Sequence, residues 1–362
     1  MAILNSLKRI VPTPLRPFAG TVYRYGRSFF SNSIDLSRRT QQEIHYFSQD
    51  ADVHALPAIA HYWFNTHLVP MLQPFGVSNA HECIRAYLVQ LCRSSSDRCD
   101  FLSIGSGNAE AEICMGQWLI EQGFNNFSFE CLDLNVDLLE QARKRAVESG
   151  VANRFSFHPC DVNAWAPERK YDAILALQSL HHVVELEGLL DGVWRGLHEH
   201  GYFLSDDMIG RNGHQRWPEA LKLVQGVWKQ LPAEYRFNRQ LRRFEEKYQN
   251  WDCSADGFEG IRSQDILRLL IERFHFEFFF VFGNVIDIFI DRAFGHNFDP
   301  ERQWDRDFID HVHALDTSHL ERGLITPTHM IAAMKKSPVE RPLVYKHFTP
   351  EFSLRKFRLW RN

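Results

Sequence analysis

No apolar run in this chain reaches the roughly 18 residues that a membrane-spanning helix needs, so a soluble globular protein is expected. The opening stretch "MAILNSLKRIVPTPLRPFAG" has neither a long apolar core nor a small-residue cleavage site, which argues against a secretory signal. Cysteine is sparse and unpatterned. Cys83, Cys92, Cys99, Cys114, Cys131, Cys160 and Cys253 are odd in number and form no C-x-x-C pair. Buried or free thiols in a reducing, cytoplasmic compartment fit this pattern better than a disulfide frame or a zinc site, and no metal is expected. Positive charge is not in excess: 41 Lys and Arg against 45 Asp and Glu leave a formal charge of −4. A nucleic-acid partner is not expected on that balance. Internal repeats and low-complexity segments are also missing.

What is present divides the chain into four parts. Residues 1–34 carry Lys8, Arg9, Arg16, Arg24 and Arg27 and no acid, with prolines at 12, 14 and 17 that break helices. This basic arm is either a solvated terminus or a contact with an anionic surface, a polyanionic glycan or the inner face of a membrane. Residues 35–98 read as a helical cap. "HALPAIAHYWFNTHLVPML" is rich in aromatics suited to a core, and "NAHECIRAYLVQLCR" repeats apolar positions at helical spacing. Residues 99–336 alternate: strands in "DFLSI", "FSFECLDL", "RFSFHPCD", "YDAILALQ" and "YFLSDD", and helices in "EAEICMGQWLIEQG", "VDLLEQARKRAVESG" and "ELEGLLDGVWRGLHEHG". Such alternation predicts an α/β fold with a parallel sheet covered on both faces. An irregular insertion is expected over 208–260. After it, Ser263 is the expected N-cap of a helix in "SQDILRLLIERF". A strand "HFEFFFVFG", a helix "RQWDRDFIDHVHALDTSHLERG" and a strand "THMIAAMKK" follow, and 337–362 is a basic, aromatic tail.

The chemistry begins in "SIGSGNAEAE". Gly105 can take backbone angles closed to residues with a Cβ, and Gly107 lets a ligand approach the main chain. Ala109 stands where a third glycine completes a dinucleotide fingerprint. The next strand ends at Asp133, 28 positions beyond Gly105, and an acid there can accept both hydroxyls of a ribose. These features describe a nucleoside site and leave the nucleoside open.

The order "FLSIGSGNAE", "ECLDLN", "FHPCDVNAW", "YDAILALQSLHHV", "GYFLSDD" resembles the successive motifs of class I S-adenosylmethionine-dependent methyltransferases, over about residues 99–207. The resemblance implies a seven-stranded, mostly parallel sheet with helices on both faces and its last strand antiparallel. It implies S-adenosyl-L-methionine as cofactor, with Gly105 and Gly107 along its methionine part and Asp133 on the ribose. Asp161, with Val162 beside it, would hold the adenine amino group, and Gln178 would lie near the transferred methyl. Ser103 stands where the family often has an acid for the cofactor's amino group; Glu110 or Glu112 either supplies that charge instead or is simply a first-turn helix acid.

Methyl transfer to a hydroxyl needs alignment and a base. His181 and His182 follow the fourth strand, and Asp206 and Asp207 end the fifth, at the edge where ligands bind. His182, His181 and Asp207 are the candidate bases: a histidine is favoured because it works near neutral pH, and His182 over His181 because it lies further out along the loop toward the acceptor side. In "DMIGRNGHQRW", Arg211, His214, Arg216 and Trp217 suit a hydroxyl-rich or anionic acceptor, Trp217 as a stacking face. This loop resembles, more loosely, those of bacterial methyltransferases of polysaccharide assembly, which implies a sugar or glycan hydroxyl. The alternatives are a small-molecule or lipid acceptor, or a non-catalytic module in a biosynthetic complex. A nicotinamide-dependent dehydrogenase is disfavoured by the missing third glycine and by the absence of Tyr-x-x-x-Lys after the fourth strand.

Overall fold

Continuous apolar runs become the central strands. The computed structural model describes residue 39 and residues 56–355 apart from 256. The first five strands are β1 (Cys99–Ile104), β2 (Phe127–Asp133), β3 (Phe155–Pro159), β4 (Tyr171–Leu177) and β5 (Leu197–Met208). A two-residue hairpin, β6 (Phe237–Asn238) and β7 (Arg243–Phe244), stands apart from them. Then come β8 (His275–Phe282), β9 (His329–Lys335) and β10 (Leu343–Val344). The sheet order is β10-β8-β9-β5-β4-β1-β2-β3. β9 runs antiparallel to both β5 and β8, and the other pairings are parallel. The chain leaves β1 toward β2 on one side and returns to β4 on the other. The carboxyl ends of β1 and β4 therefore flank a switch point, where loops diverge and leave a crevice.

Helices cover the sheet for legible reasons. In Ala80–Ser94 the buried Cys83, Ile84, Tyr87, Leu88 and Leu91 share one stripe. Asn79 caps this helix by accepting from the Glu82 N–H at 2.9 Å, and Glu82 reaches back to the Ser78 N–H at 2.8 Å, a reciprocal cap. Asn135 caps Val136–Glu148 by accepting from the N–H groups of Asp137 and Leu138. Phe101, Phe127 and Phe129 are fully buried and pack ring against ring. Each contributes about 2–3 kcal/mol, and Phe129→Ala would cost about 3–5 kcal/mol. Trp63, in the helix Ala58–Trp63, is core as well, at 2% exposure.

Three expectations are corrected. Among the described residues the sheet has eight strands, not seven: Leu343 and Val344 pair with Phe278 and Phe279 at its edge, and two residues are too few to show an alternating pattern. The helix over "ELEGLLDGVWRG" stops at Gly196, and "LHEH" already belongs to β5. Pairing of Leu197 with Tyr171 gives these backbone groups partners that another helical turn would withdraw. Ser263 is the first helical residue, not the cap. Arg262 takes the cap position because it is held by Glu187 and Asp265.

All seven cysteines are unpaired. Among the described residues no helix is long and apolar enough to cross a membrane. The basic arm 1–34, and with it the choice between a solvated terminus and a membrane contact, lies outside the described residues, as does the end of the tail beyond 355.

Candidate active site

The loop after β1 is shaped by two glycines with φ of +67° at Gly105 and +54° at Gly107, a region that residues with a Cβ resist. A Cβ on Gly105 would lie 2.7 Å from the Cβ of Ser179. On Gly107 it would meet nothing nearer than Leu138 at 3.9 Å, so the loop is open on that side. Ala109, at φ +51°, takes the left-handed conformation a third glycine would adopt without strain.

The Gly107 N–H donates to Asp133 Oδ2 and the Asn135 N–H to Oδ1, both at 2.8 Å. Each oxygen keeps a further acceptor position. Burial raises the Asp133 pKa, and the backbone donors oppose it. Behind the loop, the Ser103 hydroxyl donates to Glu112 Oε1 at 2.6 Å. Glu112 is 2% exposed, and burial raises its pKa against that hydrogen bond.

The ends of β4 and β5 are tied together by Asp207. Its Oδ2 accepts from the N–H groups of Ser179 and Leu180 at 3.0 and 2.7 Å. Its Oδ1 lies 2.7 Å from His181 Nδ1 and accepts from the Met208 N–H. Ser179 closes the joint by donating to the Ile104 carbonyl at 2.8 Å. On the far side of His181, Nε2 is 3.6 Å from Glu259 Oε1. Glu259 Oε1 is also 2.6 Å from His214 Nε2, and Oε2 is 3.6 Å from His182 Nε2. Burial favours a protonated Glu259, but the His214 hydrogen bond and the charges of His182 and His181 outweigh it. Its carboxyl is held well below the usual range. Burial and the neighbouring His182 push the His181 pKa down, against Asp207 and Glu259.

Residues 95–258 match the family model of a methyltransferase domain. Over these residues, somewhat less than half of its length, the chain carries an S-adenosylmethionine-dependent methyltransferase domain. No curated protein matches the chain significantly. Among solved structures it is similar to an O-methyltransferase from a trans-AT PKS multienzyme of Brevibacillus brevis, crystallised with S-adenosyl-L-homocysteine. The identity is 15%, the match covers 80% of this chain and 85% of that one, and the TM-score is 0.41. A SAM-dependent methyltransferase from Geobacter sulfurreducens, also with S-adenosyl-L-homocysteine, matches at 14% identity over 71% of this chain and 90% of that one, with a TM-score of 0.36.

The cofactor of the methyltransferase domain is S-adenosylmethionine, and the residues at the switch point fit it. The open side at Gly107 leaves room along the main chain, and Asp133 retains acceptor positions for two hydroxyls. Asp161 lies beyond β3, where its Oδ1 accepts from the Asn163 N–H at 3.0 Å, with Val162 opening the following turn. Gln178 sits at the β4 end with φ +52°, a strained conformation for a residue with a side chain, and its N–H donates to the Asp206 carbonyl. Of the two acids expected behind Ser103, Glu112 is the one bonded to it. Glu110 points outward to Arg145.

The expected acceptor residues divide. His214 joins the cluster, whereas Arg216 is buried and bound to Asp287, the Asn284 carbonyl and the His214 carbonyl. Trp217 has the guanidinium of Arg211 at 5.2 Å and that of Arg355 at 4.1 Å from its ring centroid. Its ring is thus engaged within the chain. Glu259 was not foreseen from the sequence. Its one signal there is an acid followed by Gly260 just ahead of a helix, a pattern too common to single out.

Proposed function

We propose that the methyltransferase domain methylates an oxygen acceptor, a hydroxyl on a small molecule, and that His182 takes the hydroxyl proton. The observation that carries this reading is the convergence of three histidines and two carboxylates at the ends of β4 and β5, next to Asp133. An amine acceptor with a free lone pair needs no such apparatus, whereas a neutral hydroxyl does. When bound, S-adenosylmethionine supplies a methyl group on a sulfonium, open to in-line displacement. The chain's own residues must align the acceptor and hold its proton.

His182 suits the proton-transfer role because its side chain is 23% exposed, against 4% for His181. Glu259, held ionised, stabilises the imidazolium that forms. Asp207 is fully buried with four donors around its two oxygens, so it positions His181 and the β4 turn rather than reacting. A sugar hydroxyl falls within the proposed acceptor class, but the guanidiniums of Arg211 and Arg355 beside Trp217 compete for the ring that the sequence reading offered a glycan.

The test is methyl transfer from labelled cofactor to a panel of phenols, sugars, hydroxy acids, amines and thiols. Oxygen acceptors should be labelled. His182→Ala should lower kcat by about 10²–10⁴-fold while leaving cofactor affinity unchanged. Labelling confined to amines or thiols would refute the reading.

A further inference from the structure

We propose that His181, His214 and Glu259 bind a divalent transition-metal ion. The three residues come from three segments: the turn after β4, the turn after β5 and the loop ahead of the helix Ser263–Ile271. They present one ligand atom each, all within 4.8 Å of one another. His214 Nε2 and Glu259 Oε1 are 2.6 Å apart, and His181 Nε2 and the same oxygen 3.6 Å. An ion with bonds of about 2.0–2.2 Å needs its ligand atoms roughly 3 Å apart, so small side-chain shifts suffice.

The tautomer supports the site. His181 Nδ1 faces Asp207 Oδ1 at 2.7 Å. With its proton on Nδ1, the ring turns the Nε2 lone pair toward Glu259. A nitrogen lone pair and a carboxylate oxygen repel unless a proton or a cation lies between them. A carboxylate behind a ligating imidazole is also the arrangement that fixes ring orientation and raises ligand basicity in metal sites.

The backbone is committed to the same end. His214 has φ +53° and follows Gly213 at +62°. Such a conformation is strained at a residue with a side chain and persists only where its surroundings impose it. Here the Gly213 N–H donates to the Gly260 carbonyl at 2.8 Å, and Arg216 Nη1 donates to the His214 carbonyl at 2.8 Å. A Cβ on Gly260 would lie 3.0 Å from His214 Cε1. The buried Arg216 and both glycines thus aim the His214 ring at Glu259.

Two imidazoles and one carboxylate select Zn²⁺, Fe²⁺, Co²⁺ or Ni²⁺ over the oxygen-seeking Mg²⁺ and Ca²⁺. Three protein ligands leave a coordination position open. An acceptor hydroxyl bound there would become more acidic and pass its proton to His182. That role rests on the oxygen-directed reading above; the binding site itself does not.

The full-length protein, stripped with a chelator, should be titrated calorimetrically with Zn²⁺ and with Mg²⁺, and with Co²⁺ while recording visible absorption. One Zn²⁺ per chain should bind with a dissociation constant of about 1 μM or tighter, Mg²⁺ should give no binding heat, and Co²⁺ should show ligand-field bands. His214→Ala and Glu259→Gln, checked for folding by circular dichroism, should each weaken Zn²⁺ binding at least about 100-fold. Stripped wild-type protein that binds neither Zn²⁺ nor Co²⁺ would overturn the proposal, as would folded variants that bind Zn²⁺ as tightly as wild type. Hydroxyl methylation by protein free of any bound ion would overturn the metal's role and leave the proposed function standing. Stoichiometric Zn²⁺ binding without methylation of any hydroxyl would support the site and remove that function.

Discussion

Gly105 and Gly107 lie two residues apart in one loop, yet adding a methyl to each should break different things. Both have positive φ, so Ala at either position costs about 1–2 kcal/mol in backbone strain. At Gly105 the new Cβ would also sit 2.7 Å from the Ser179 Cβ, well inside the ~3.5–4.0 Å contact optimum for carbon. Ser179 cannot retreat, because its hydroxyl is bonded to the Ile104 carbonyl and its N–H to Asp207. Such overpacking adds about 1–3 kcal/mol, giving roughly 2–5 kcal/mol for Gly105→Ala against about 1–2 kcal/mol for Gly107→Ala. At Gly107 the methyl meets open space inside the chain but lies where the cofactor would approach. Calorimetric unfolding should place the Tm of Gly105→Ala several degrees below that of Gly107→Ala, at about 2–4 °C per kcal/mol. Titration with S-adenosylhomocysteine should show at least a tenfold loss of affinity in Gly107→Ala. A Gly107→Ala variant that binds the cofactor normally would refute the placement of the ligand. Equal Tm losses for the two variants would refute the steric account of Gly105.

Asp133→Ala should weaken cofactor binding by about 1.5–3 kcal/mol, the value of hydrogen bonds to a carboxylate, while the protein stays folded; an unchanged dissociation constant would put the ribose elsewhere. Glu112→Gln should lower affinity for S-adenosylhomocysteine about tenfold and leave that for methylthioadenosine, which lacks the amino-acid part, unaltered; equal losses for both ligands would show that Glu112 acts through the fold. Burial, with the charge of Asp287 nearby, pushes the Asp316 carboxyl up to about 7. A raised pKa contributes stability that is complete below the ordinary carboxyl range near 4 and is lost as pH rises through about 7. Asp316→Asn should therefore gain on wild type in stability at pH 8 relative to pH 5, by roughly 2.5 kcal/mol at most, since about two pH units of the loss fall in that interval. A Tm difference independent of pH would show that Asp316 does not titrate in this range.

The sheet-forming segments and the glycine loop were legible because their signals are local. An apolar run of five to eight residues, a helical stripe or a glycine at a strand end reports on its own neighbourhood. The placement of Gly105 and Gly107 after β1 and of Asp133 at the end of β2 was determined in this way. Where the local signal was ambiguous, tertiary pairing decided. "LHEH" continues a helical pattern in sequence, but Tyr171 claims Leu197 for β5. Leu343 and Val344 carry no strand pattern, but they lie against the free edge of β8. The roles around the site belong wholly to the tertiary structure. Nothing near Glu259 in the chain says that it meets His214, 45 residues away, and nothing near Ser103 says which of two glutamates backs it. Arg216 and Trp217 read as ligand-binding residues until the fold supplies Asp287 and Arg355 as their partners. Such meetings depend on strand order and on loop conformations held by hydrogen bonds between distant segments. A sequence pattern a few residues long cannot encode them, and a folded chain with one strand order does.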